Sequence, residues 1–191
     1  MSDTNAFKTV CENIDKTKPV KDRRLGLVYT ALHKKRAIPA IERLHYNEKT
    51  KTHLIDGVEK HIDINFLNTD MEFKRFLHEY GMDRYMYLHN LAKAMRIVYD
   101  QPANKVEARN YMLKKVASEP VFAEDLVIDA NDLMEAGIAD TPERAEELLN
   151  LVVAVVHKNP VNNNRDVLLK QAGKMAKSKF AAKTRYVKWT R

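Results

Sequence analysis

Apolar positions recur at three- and four-residue steps along most of the chain, the period of a helix buried on one face. Residues 7–14 read as a short helix ended before Pro19, and 22–36 as a longer one with Leu25, Val28, Tyr29 and Leu32 on one side. Pro39 can open a helix over 39–44, since proline is tolerated in a first turn. Residues 49–62 follow, with Leu54, Ile55, Val58 and Ile62 as the apolar set. Thr69 with Glu72 three residues on has the form of a capping box, and that helix should stop at Gly81. Helices over 83–100 and 104–118 come next, the first carrying Tyr87, Leu88, Leu91, Met95 and Val98 inward.

Pro120 marks a break, after which 126–128 is the only stretch that reads as extended. Thr141-Pro142-Glu143 combines a hydroxyl cap, a first-turn proline and a carboxylate at the positive helix end. The stripe Ala145, Leu148, Leu149, Val152, Val155, Val156 then runs to Lys158. Pro160 and Asn162–Asn164 form a turn, with Asn164 capping a last helix from Arg165. The pattern is all-α: a multi-helix body over 1–125 and a smaller helical tail over 126–191.

Composition agrees with this. Of 191 residues, 45% are hydrophobic, enough for a core, while 5 Gly and 6 Pro are too few for a loop-rich fold. A single cysteine, Cys11, cannot form an internal disulfide, and the N-terminus is polar and unlike a secretion signal, so a cytoplasmic location is expected. The longest apolar run, Leu151 to Val156, is far short of a membrane span, so no membrane partner is expected.

The formal net charge is +7, and it is segregated. From Lys170 onward there are eight basic residues and no acid, whereas the preceding 169 residues hold 25 basic and 26 acidic groups. Such a segment attracts phosphates through counterion release, or it serves only as a solubilising tail. Its cations alternate with Phe180, Tyr186 and Trp189, rings that can stack on bases or dock the tail on the body. Lys34-Lys35-Arg36 is a weaker phosphate candidate, or a solvated helix end with cations at the negative terminus.

The stretch from Val127 to Ala172, with its NDLMEAGI and NRDVLL segments, resembles the helical C-terminal part of bacterial CCA-adding tRNA nucleotidyltransferases and their poly(A) polymerase relatives. KTKPVKDRRLGLVYTALHKKRA resembles the entry to the HD-type helical domain of long members of that family, with Pro19, Asp22, Arg24, Leu25, Leu27, Leu32 and His33 in register. FKRFLHEYGMDRYMYLHNLAKAMRI is similar to a second segment of that domain. The two aspartates that such a domain uses to hold a metal fall here on Lys34 and Met95. An ammonium and a thioether cannot replace them, so the resemblance implies a degenerate HD-like body with no metal. In the glycine-rich turn of many relatives, Asp140-Thr141-Pro142 stands instead.

The resemblance also implies a nucleotidyltransferase head with an Asp-x-Asp pair. The sequence contains no Asp-x-Asp and no glycine-rich phosphate loop. Cys11 is a lone thiol, and Ser2, Ser118 and Ser178 lie in no nucleophile-elbow context. No catalytic residue and no cofactor is therefore expected, nor an enzyme activity of this chain alone; the activity of the family it resembles would be nucleotidyl transfer. Three readings follow. The first is a non-catalytic module for tRNA or tRNA-like RNA that holds the acceptor and TΨC arm by the phosphate backbone, with a separate nucleotidyltransferase head as a second partner. Its contacts would be Arg165, Lys174, Lys177, Lys179, Lys183, Arg185, Lys188 and Arg191. The second is a protein-interaction scaffold on the same fold. The third is a residual HD-type phosphohydrolase built on His33, His45, His53 and His61, of which His53 and His61 are eight apart on one helix.

Overall fold

Helices cover the chain in a computed structural model that describes residues 3–102 and 104–178. The order is α1 (Asp3–Asn13), α2 (Lys21–Thr30), α3 (Lys34–Arg43), α4 (Glu48–Lys60), α5 (Asp70–Val98), α6 (Asn104–Val116), α7 (Ala130–Glu135), α8 (Pro142–Lys158) and α9 (Arg165–Lys177), joined by short 3₁₀ turns. No strand occurs among the described residues, and no helix there is long and apolar enough to cross a membrane. The chain divides into two compact units between Lys114 and Lys115, ahead of the body–tail boundary read at 125.

In the N-terminal unit α4 packs against α2, α3 and α5, and α2 lies on α5. Tyr29, Ala37, Ile41, Leu54 and Val58 form a core between α2, α3 and α4. On α5, Leu88 and Leu91 are fully buried. The Thr69–Glu72 capping box is present, and Glu72 also accepts the Asn68 N–H. Gly81 has φ +76 and breaks α5 into 70–80 and 82–98, a left-handed conformation that glycine takes without a steric penalty.

Four expectations are corrected here. The helix over 22–36 is two helices: α2 ends at Thr30, whose hydroxyl bonds back to the Leu27 carbonyl, and His33 turns extended. The His33 Nδ1 then caps α3 by accepting the Lys35 N–H. Pro39 sits inside α3 rather than opening a helix. The Lys34-Lys35-Arg36 cluster thus begins a helix, at the positive end of its dipole, not at the negative end. Finally, Ile62 lies beyond the end of α4 and is 55% exposed, while Thr50, His53, Asp56 and Gly57 fill the buried face of that helix.

The C-terminal unit is built on α8, which packs against α7 and α9. Ile128, Leu133, Leu148, Val152, Val156, Leu168 and Ala172 form its core. Asp129 and Asp132 make a reciprocal capping box at α7. The helix ends at Gly137 (φ +64), with the Ile138 N–H on the Leu133 carbonyl and the Gly137 N–H on that of Met134, the Schellman pattern. Thr141 and Asn164 cap α8 and α9 as read from the sequence. Residues 126–128 form no strand. Instead Asn163 clamps this segment, accepting the Val127 N–H and donating to the Asp125 carbonyl. The buried His157 donates from Nε2 to the Val121 carbonyl at 2.8 Å.

Candidate nucleic-acid interface

Helix α9 turns Leu168 and Ala172 inward. On a 3.6-residue period, Lys170, Lys174 and Lys177 then fall together on the opposite face. All three are exposed and make no ion pair among the described residues. Asp166 in the first turn is the one acid within α9. The sequence from Lys170 onward holds no other. Lys179, Lys183, Arg185, Lys188 and Arg191, with Phe180, Tyr186 and Trp189, lie outside the described residues.

Arg165 stands apart from the stripe. Its guanidinium donates to Asp132 at 2.6 Å and remains 54% exposed. Asp132 is held below the usual carboxylate range by the Asp129 N–H and by Arg165, and Arg165 is raised by the same pairing. One carboxylate thus closes the α7 capping box and ties α7 to α9. Asp132 had no role legible in the sequence, since a contact across 33 residues leaves no local signal.

Lys34 and Met95, where the sequence resemblance would put metal-binding aspartates, have other surroundings. Lys34 pairs with Glu59 at 2.9 Å, and Met95 is half-buried in α5. The histidines go separate ways. His33 caps α3, His45 is exposed, and His61 donates from Nδ1 to the Gly57 carbonyl at 2.7 Å. His53 is buried, its ring stacked on Tyr87 with centroids 4.4 Å apart and planes within 6°. The His53 Nε2 donates to Asp83 at 2.9 Å, and its Nδ1 faces Asp22 at 3.8 Å.

Each of these carboxylates meets a different nitrogen of the one ring. Among the described residues no group of three His, Cys, Asp or Glu side chains is arranged to hold a metal. Lys49 and His53 together hold Asp83 below the usual carboxylate range. Asp22 accepts the Thr50 hydroxyl at 3.1 Å and joins α2 to α4. What this network does is position three helices on Tyr87.

Comparison with known proteins adds nothing to this geometry: no family model, no curated protein and no solved structure matches the chain.

Proposed function

We propose that this chain is a non-catalytic RNA-binding module that takes tRNA or tRNA-like RNA by its phosphate backbone, a role like that of the helical C-terminal half of CCA-adding nucleotidyltransferases. The observation that carries the reading is the row Lys170, Lys174 and Lys177 on the outer face of α9, free of ion pairs among the described residues and leading into a sequence with no acid. Unneutralised lysines in a row exchange condensed counterions for contacts to a backbone and read no base. A-form RNA suits them, because its phosphates and 2′-hydroxyls are its accessible features. Lys179, Lys183, Arg185, Lys188 and Arg191 extend the same chemistry in the sequence. Arg165 contributes only what its bond to Asp132 leaves free. In this reading the chemistry of nucleotidyl transfer belongs to a separate head, which this module would serve by holding the RNA.

The test is a gel-shift competition with tRNA lacking its 3′ CCA as the labelled ligand. Unlabelled tRNA should displace it at lower concentration than unrelated single-stranded RNA or duplex DNA of equal length. Equal displacement by all three would leave only a sticky cationic segment. Absence of any shift would remove the RNA reading and leave the scaffold.

A further inference from the structure

Two adjoining grooves flank the start of α2 in the N-terminal unit. One, about 240 Å³, is the cleft over Asp22, His53 and Asp83. The other, about 150 Å³, is lined by Thr17, Lys18, Arg23, Asn90 and Lys93, with Ala94 and Ile97 as its apolar wall. Arg23 and Asn90 line both. The second groove holds three cations and no acid.

Arg23 is the decisive residue. Its neighbour Arg24 is committed, donating to Asp15 and to the Thr17 carbonyl. Arg23 makes no hydrogen bond and no ion pair among the described residues; its Nε is buried, as is that of Arg24, so its terminal amino groups are what a ligand in the groove can meet. A guanidinium with no carboxylate partner, in a groove lined by two further cations and no acid, is suited to take an anion. The nearest acid in sequence, Asp22, is already taken up by Thr50 and the His53 ring. Lys18 is exposed and unpaired among the described residues. Lys93 reaches Glu107 at 3.2 Å yet stays 45% exposed, within reach of a second partner.

We propose that this groove binds a phosphoryl group, with Arg23 as its principal donor and Lys18 and Lys93 as flanking charges. A planar guanidinium beside two ammonium groups suits a tetrahedral, multiply charged oxyanion better than a monocarboxylate. The phosphoryl group can come from a nucleic-acid backbone or from a free phosphate or phosphomonoester. The inference does not rest on the α9 lysines and holds whether or not they bind RNA.

The experiment is thermal unfolding of the full chain with inorganic phosphate, against sodium chloride and sodium acetate at matched ionic strength. Phosphate should raise Tm saturably, as a ligand of the native state does, and the other two should not. Arg23→Gln should weaken the phosphate affinity roughly tenfold or more, the scale of a lost charge-assisted hydrogen bond. Lys18→Gln with Lys93→Gln should weaken it in the same direction. These two carry the test if Arg23→Gln fails to fold by circular dichroism. The combined variant Lys170→Gln, Lys174→Gln, Lys177→Gln should keep the full phosphate shift, which separates this groove from the α9 face.

A trinucleotide without terminal phosphates then distinguishes the sources. A shift with it assigns backbone phosphodiesters, and a shift with inorganic phosphate alone assigns a free or terminal phosphate. No saturable shift with either ligand in the native chain, or an undiminished shift in the folded groove variants, overturns the proposal.

Discussion

His89 shows how a single buried ring sets a pH limit on the fold. It is 3% exposed, lies 5.8 Å from the Tyr85 ring, and its Nδ1 has no partner. Burial, with Lys93 and Arg109 nearby, lowers its pKa below the ordinary 6.5, against a small opposing pull from Glu107. The folded state therefore binds a proton less readily than the unfolded state. Stability is full above about pH 6.5 and is lost as pH falls below that value. Urea midpoints at pH 7.5 and 5.5 should differ for the native chain, and His89→Gln should shrink that difference. An unchanged difference would place the pH sensitivity elsewhere. Asp132 makes a second prediction at this scale. Asp132→Asn keeps an acceptor for the Asp129 N–H and releases the Arg165 guanidinium. If Arg165 contacts phosphate, this variant should bind RNA several-fold more tightly, by the worth of one freed cation. Unchanged affinity would take Arg165 out of the interface.

Close approach governs the helices of the N-terminal unit. A Cβ on Gly26 would stand 2.4 Å from the Tyr87 hydroxyl, and one on Gly57 would stand 2.9 Å from a Leu91 methyl. Alanine gains about 1 kcal/mol of helix propensity over glycine, while overpacking costs about 1–3 kcal/mol, so the clash should win at Gly26. Gly26→Ala should lower stability in denaturant titrations. Tyr87→Phe, which removes the offending oxygen, should recover part of the loss, and additive effects of the two changes would show that the contact is not the cause. Between α4 and α5, Asp56 is 2% exposed and accepts two bonds from Arg84, which raise the arginine's pKa. Arg84→Met leaves that carboxylate buried and unpaired, so it should cost about 3 kcal/mol of unfolding free energy, and a loss below 1 kcal/mol would mean that water reaches Asp56.

The ends of these helices were legible because caps are local. Thr69 with Glu72, Thr141 with Pro142, Asn164 and Gly81 each signal within four residues. The break at 31–33 was not, since it depends on the His33 ring turning back to a helix start, a role with weak residue preference. The buried polar residues of α4 were not legible for a different reason. His53 and Asp56 are buried only because Tyr87 and Arg84 of α5 meet them. A residue 30 positions away leaves no trace in the hydrophobic period.

At the scale of the whole molecule, charge and fold are separable. Each unit has its own core. The positive excess belongs to the chain from Lys170 onward, and part of it stands on an ordered helix face. The all-α architecture followed from periodicity, and the candidate interface was half legible. The sequence shows where the cations concentrate, but not that three stand unpaired on α9 while Arg165 is tied to Asp132. In the proposed role these lysines meet RNA phosphates. The salt dependence of tRNA affinity, for the native chain and for the variant Lys170→Gln, Lys174→Gln, Lys177→Gln, decides whether they do. Each phosphate contact adds roughly one unit to the slope of log affinity against log salt. The native chain should show a steep slope, and the variant a slope lower by about 2–3 with correspondingly weaker binding. Equal slopes and equal affinities for the two proteins would contradict the claim.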